Sequence, residues 1–370
     1  MKRLIVCCDG TWNRPDEVNE GAASPTNVAK ISLALADKDD AGNQQLLHYE
    51  SGVGTRRGER VLGGAFGVGL SRNVQECYRF LVDTYEPGDK LYFFGFSRGA
   101  YTARSTVGLV RNSGILRPEH RHRIKDAYAL YRRPDKDSAP SGIAAELFRR
   151  SHSYPDVYFD FVGVWDTVGA LGIPLGGFRP PLLSRLWRFH DTTLSAFVLN
   201  AYQALAIDER RKPFRPTIWV QKPEARNHQT LEQVWFAGVH SDVGGGYHDT
   251  GLSEIPLLWM AEKARSCGLA FKPDHLVLAE TDLDAPERRT GTHVTPNYAA
   301  RLHNSRTLLY RLQRPYDRRL AGDDGAAVDG GALASSAETR HDDGHEGYRP
   351  PGLSEWLAAG KKITPTLDGL

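Results

Sequence analysis

Residues 93–104 read FFGFSRGAYTAR. Ser97 stands between Gly95 and Gly99, at the end of an apolar aromatic run and directly ahead of residues with helical spacing. Two readings compete for this serine. In one it only caps the helix. In the other, G-x-S-x-G is a strained strand-to-helix turn that lifts the hydroxyl above a sheet, the nucleophile elbow of α/β-hydrolases. The rest of the chain decides between them.

Further runs rich in Val, Ile, Tyr and Phe lie on both sides of this stretch. They are RLIVCCD (3–9), QLLHYESGV (45–53), KLYFFGF (90–96), DVYFDFVGVWD (156–166), RPTIWVQ (215–221) and LEQVWFAGV (231–239). Several are almost continuously apolar, as strands of a parallel sheet covered on both faces are. Between them, TNVAKISLALA (26–36), SRNVQECYRFLVDTY (71–85) and RGAYTARSTVGLVRNS (98–113) carry apolar residues at helical spacing. Asn27 and Ser71 are the expected capping or early-turn groups. This alternation predicts an α/β fold, with an α/β-hydrolase-like, doubly wound and mostly parallel sheet. One domain is expected over residues 1–319. Inside it, 172–212 has no evident strand and reads as a helical cap insertion, its helical part DTTLSAFVLNAYQALAIDE. Residues 320–347, dominated by Ala, Gly, Asp and Ser, read as flexible loop or disorder. Residues 348–370 read as a C-terminal segment packing on the hydrolase domain.

In open α/β sheets ligands bind outside the carboxyl ends of the strands. Three polar residues end predicted strands: Ser97 after KLYFFGF, Asp166 after DVYFDFVGVW and His240 after LEQVWFAGV. Their chain order, Ser then Asp then His, is that of α/β-hydrolases and not of chymotrypsin or subtilisin. Each type answers a chemical need. A serine hydroxyl becomes a nucleophile when a neutral imidazole removes its proton. A carboxylate holds that imidazole in one tautomer and stabilises the imidazolium. Asp166 is the expected orienter, Asp160 a core or edge carboxylate, and Asp242 a loop carboxylate bonding backbone amides. His248 lies past the glycines and away from a strand end. The oxyanion needs N–H donors. The amide of Arg98, next after the serine, is one; Gly10 and Thr11, after the first strand, lie where a second is required, and Thr11 is the expected donor. Asp9 would brace that loop by accepting amide protons.

CDGTWN, TNVAK, ESGVGT, GFSRGAYTAR, VWDTVGALG, ALAIDERR and VWFAGVHSDVGGGY follow one another from about Leu4 to about Leu258. Together they resemble the bacterial α/β-hydrolase family of Tle1-like phospholipase effectors of type VI secretion. The resemblance implies an esterase or phospholipase with a Ser-Asp-His triad, which falls on Ser97, Asp166 and His240. It also implies that NSRTLLYRLQRPYDRR and GYRPPGL continue the family's C-terminal pattern, with the Ala/Gly/Asp segment between them a lineage-specific loop.

Other classes fit less well. DGT after a first strand is similar to the D-x-D-G-T motif of haloacid-dehalogenase phosphatases, but Cys7 occupies the place of their nucleophilic aspartate. The glycines of RRGERVLGGAFGVGLS (56–71) match neither phosphate-binding fingerprint. HDDGH (341–345) has the composition of a metal cluster within a stretch that reads as solvated loop. A net charge of +2, from 47 basic and 45 acidic residues, excludes a nucleic-acid partner chosen on charge. Cys7, Cys8, Cys77 and Cys267 read as reduced, buried thiols. Leu4 to Cys8 is too short for a signal-peptide core and no apolar run approaches the ~20 residues of a membrane span. A cytoplasmic location is therefore expected, compatible with export by a type VI-like machine.

The expected activity is hydrolysis of a lipid-like carboxylic ester, as by a phospholipase or a lipase/esterase, without metal or organic cofactor. The alternative is a non-catalytic binding module on a hydrolase scaffold. Lipid-like chemistry is read from the cap, where Leu183 and Trp187 with Ile173, Leu175, Phe178 and Phe189 would form an apolar wall for an acyl chain. Arg179, Arg185 and Arg188 would stand at its rim, facing a phosphate or, in a transient contact, an anionic membrane surface. The sequence carries no reading of the oligomeric state.

Overall fold

The computed structural model describes the chain apart from residues 11–17, 20–21, 53–64, 170–191, 279–292, 307–309, 311–313, 323–325 and 367–370. Its centre is an eight-stranded sheet. In chain order the strands are β1 (Arg3–Cys8), β2 (Gln45–Glu50), β3 (Lys90–Phe96), β4 (Phe161–Trp165), β5 (Asn200–Ala206), β6 (Thr230–Phe236), β7 (Gly331–Ala334) and β8 (Ile363–Thr364). The spatial order is β8-β7-β6-β5-β4-β3-β1-β2, and every neighbouring pair is parallel. From β1 the chain first moves outward to β2, then returns across β1 to build β3 onward. The carboxyl ends of β1 and β3 therefore flank a topological switch point, the place where such sheets bind ligands.

Helices cover both faces. On one lie α2 (Ala65–Thr84), α3 (Arg98–Ser113), α4 (Ile124–Arg132) and α5 (Ile143–His152); on the other lie α1 (Asn27–Ala34) and α7 (Gly251–Ser266), with the short α6 (His240–Gly244) at its edge. Strand β3 explains why KLYFFGF is apolar without interruption. Leu91 and Phe93 enter the core layer under α2 and α3, while Tyr92, Phe94 and Phe96 enter the layer that holds Trp165, Tyr202 and Trp259. Alternate side chains point to opposite faces, and both faces are buried.

The doubly wound parallel architecture agrees with the sequence reading, but three local expectations are corrected. Asn200–Ala206, placed in the helical part of a 172–212 cap, is strand β5 in the middle of the sheet. Its alanines favour a helix in isolation, yet pairing with β4 and β6 on both sides outweighs propensity. RPTIWVQ enters no extended ladder and is held by isolated bridges, Val168 to Pro216 and Thr193 to Val220. Within 320–347, read as flexible loop, Gly331–Ala334 forms strand β7 and Ser335–Asp342 forms helix α8. A short GALA run offers no pattern, but β6 and β8 pair with it on both edges and every residue of it is buried. Beyond it, α9 (Pro351–Ala358) lays Leu353 and Trp356 onto the core.

Of the two residues expected as capping or early-turn groups, Asn27 stands in the first turn of its helix and Ser71 does not. Thr26 caps α1, its Oγ1 accepting from Ala29 N at 3.1 Å, while Asn27 donates from Nδ2 to Val243 O and Ser253 O. Ser71 lies inside α2, which starts at Ala65.

Candidate active site

The turn after β3 shows why glycine flanks the serine. A Cβ on Gly95 would lie 2.6 Å from Ala100 Cα, and one on Gly99 would lie 2.1 Å from Cys8 O. Gly95 lets the first turn of α3 fold back over the strand; Gly99 lets α3 press against the end of β1. Between them Ser97 takes φ 57° and ψ −119° and makes no side-chain cap bond to the helix. A non-glycine residue in that conformation is strained, and it aims its side chain above the sheet edge. The capping role is therefore not the one it fills.

Three strand ends meet over this turn. His240, first residue of α6 after β6, sets its Nε2 2.8 Å from Ser97 Oγ. Its Nδ1 lies 2.6 Å from Asp166 Oδ2, at the end of β4. Phe96 and Phe214 flank the imidazole, with ring centroids 4.6 and 5.0 Å away. Ser97, Asp166 and His240 are all buried.

A residue the sequence reading did not single out completes the group. Arg318 grips Asp166 with both arms, Nη1 donating to Oδ1 at 2.6 Å and Nη2 to Oδ2 at 3.0 Å. The same guanidinium donates to Ala206 O at 2.7 Å and Phe214 O at 2.5 Å. A planar fork bound on both carboxylate oxygens fixes that carboxylate's orientation. Burial on its own raises the Asp166 carboxyl, but the charge of Arg318 and the hydrogen bond to His240 hold it well below the usual carboxylate range. Burial also pushes the His240 imidazole below its ordinary value, against the opposing pull of Asp166. At neutral pH this favours a neutral ring beside the serine and a charged carboxylate behind it. Glu209 supports the arrangement from below, accepting from Arg211 Nε at 2.9 Å and Ser305 Oγ at 3.0 Å, and from His240 N at 3.4 Å.

The rival carboxylates are engaged elsewhere. Asp160 binds Lys90 Nζ at 2.6 Å and Leu91 N at 3.0 Å. Asp242 accepts from Val239 N at 2.9 Å and faces His303 Nδ1 at 2.6 Å. His248 is exposed. Asp9 accepts from Gly10 N at 2.6 Å, Thr26 Oγ1 at 2.7 Å and Tyr49 OH at 2.5 Å, so it braces the loop after β1. Arg98 opens α3, so its amide lies in the first turn, next to the serine. Thr11 lies outside the described residues, as do Leu183, Trp187 and the rest of the apolar and arginine set between 172 and 191.

A parallel, doubly wound sheet with a strained serine at its switch point defines an α/β-hydrolase-like protein. The model of the family described as "T6SS, Phospholipase effector Tle1-like, catalytic domain" matches residues 2–263, and the chain belongs to that family. It is also 30% identical over 243 residues to YEL023C, an uncharacterized protein of Saccharomyces cerevisiae, covering 60% of this chain and 33% of that one. The chain thus spans about a third of the curated relative it matches. A crystal structure of an uncharacterized protein from Pseudomonas aeruginosa is 19% identical, with a TM-score of 0.42, over 73% of this chain and 46% of that one. Among the described residues no helix is long and apolar enough to cross a membrane.

Proposed function

We propose that this protein is a serine hydrolase of lipid-like carboxylic esters, with a phospholipid the substrate the family points to. Ser97 Oγ attacks the ester carbonyl while His240 Nε2 takes its proton, and Asp166 holds Nδ1 and stabilises the imidazolium. The tetrahedral oxyanion is received by the amide of Arg98, with Thr11 as second donor. His240 then returns the proton to the leaving alcohol, and water enters by the same route to release the acid. No metal or organic cofactor takes part in these steps.

The observation that carries this reading is the unbroken line from Ser97 Oγ to His240 Nε2 and from His240 Nδ1 to Asp166, at 2.8 and 2.6 Å. Family membership favours it over a binding module on the same scaffold. The test is hydrolysis of p-nitrophenyl esters of graded chain length beside phospholipid vesicles. Ser97→Ala should lose turnover by at least ~10³-fold, and equal turnover in variant and wild type rejects the mechanism. Leu183→Ala and Trp187→Ala should lose more on long acyl chains than on short ones, at ~0.8 kcal/mol per methylene no longer buried. Equal loss on both would leave these two residues with no role in chain recognition. Transient contact with an anionic membrane surface belongs to the same proposal, read out as faster turnover on anionic than on neutral vesicles.

A further inference from the structure

A second constellation lies at the carboxyl end of β1 and β2, beneath α2. The two strands pair with Val6 opposite His48 and Cys8 opposite Glu50. His48 and Glu50, two apart, project to one face, the face on which Cys8 packs beside Cys77 of α2. One ligand-capable atom from each of His48, Glu50 and Cys77 lies within 4.8 Å of the other two. His48 Nε2 is 3.6 Å from Glu50 Oε2, and Cys8 Sγ is 3.6 Å from Cys77 Sγ.

The sulfur separation is that of an S–H···S hydrogen bond and not of a disulfide, whose sulfurs lie about 2.05 Å apart. The His48–Glu50 separation is longer than an ordinary N–H···O hydrogen bond. It is close to the edge of a coordination tetrahedron, about 3.4 Å for zinc–nitrogen and zinc–oxygen bonds of about 2.0–2.1 Å. His48 Nε2 is buried and makes no hydrogen bond of ordinary length, facing Glu50 Oε2 at 3.6 Å, while its ring is held by stacking on Phe80 at 5.2 Å. Both thiols are buried, and the His48 and Glu50 side chains keep 26% and 15% exposure, enough for an ion to enter from their side.

We propose that His48, Glu50 and Cys77 bind one divalent cation of the zinc type. Thiolate and imidazole donors select zinc over the hard cations magnesium and calcium. On binding, Cys77 releases its thiol proton to solvent as one metal–sulfur bond forms. Three protein donors leave the fourth position of a tetrahedral ion to water. The ion ties β2 to α2 beside Cys8, immediately before Asp9 and Gly10, at the strand end against which Gly99 packs.

The full-length protein, stripped with a chelator under reducing conditions, is dialysed against zinc and then against metal-free buffer. Retained metal is counted by mass spectrometry, and cobalt serves as the optical probe. One equivalent of zinc per chain is expected, with thiolate-to-cobalt charge transfer and the intense d–d bands of tetrahedral cobalt. Cys77→Ser and His48→Gln should retain close to none. Cys7→Ser, on the opposite face of the same strand, should retain the full equivalent. Should Cys77→Ser fail to fold, the wild-type cobalt spectrum and the partly exposed His48 decide the matter. Absence of zinc on the reduced wild type overturns the proposal, as do equal retention by His48→Gln and a cobalt spectrum without sulfur ligation.

Discussion

Two polar clusters stand at the carboxyl edge of the sheet on either side of β1, and they differ in how their buried atoms are satisfied. Around Ser97 the imidazole stands between hydroxyl and carboxylate, and the carboxylate is gripped by both Nη atoms of Arg318, whose Nε is buried without a partner. Around Cys77 a buried imidazole nitrogen makes no close hydrogen bond and faces the Glu50 carboxylate at 3.6 Å, and two thiols share an S–H···S contact. A buried polar atom without a partner costs roughly 1–3 kcal/mol. The first cluster thus joins its serine, imidazole and carboxylate through protein hydrogen bonds alone. The second would gain a partner for its imidazole nitrogen on receiving an ion.

Breaking the first cluster should give the largest effects. Replacing Asp166 with Asn leaves the geometry but favours the wrong imidazole tautomer, and turnover should fall by roughly 10⁴-fold with little change in KM; a loss under ~10-fold would remove Asp166 from the orienting role. Arg318→Ala comes next. It leaves a buried carboxylate without its cation, a loss of about 3–5 kcal/mol in denaturant unfolding. The removed positive charge also favours the imidazolium, so the acidic limb of the pH–rate profile should move to higher pH, and Arg318→Lys should restore part of that shift. In the wild type the limb should lie below the ordinary histidine value of 6.5, because burial lowers the His240 pKa. An Arg318→Ala profile that keeps the wild-type limb would make this arginine purely structural.

The second cluster sets the middle of the scale. Free zinc at 100 times its dissociation constant should stabilise the wild type by ~2.7 kcal/mol and leave Cys77→Ser unmoved, as read by thermal unfolding. Smallest of all should be Asp242→Asn. Asp242 bonds His303 and a backbone amide, so stability should drop by about 1 kcal/mol while turnover stays within a few-fold. A large loss of turnover there would shift the orienting role away from Asp166.

Much of the first cluster was legible in the chain because its members end strands. Ser97, Asp166 and His240 each follow an apolar run, and the carboxyl edge of a parallel sheet gathers such residues by construction. Arg318 follows no such rule. It sits in RPYDRRL, where nothing local separates it from its neighbour Arg319, and only the fold carries it to the end of β4. The second cluster was hidden for a related reason. Cys8 and Cys77 are 69 residues apart, and His48 and Glu50 read as ordinary polar positions of a strand.

By itself the sequence determined the alternation of strands and helices, the strained turn at Ser97 and the order of the residues that end strands. These depend on side-chain period and backbone sterics within a few residues of each position. Tertiary structure alone decided that NAYQALA and GALA are strands, that Arg318 pairs with Asp166, and that His48, Glu50 and Cys77 from β2 and α2 converge. Such outcomes rest on partners distant in the chain: an alanine-rich segment takes the state its neighbours can hydrogen-bond, and a charge is buried only where an opposite one awaits it.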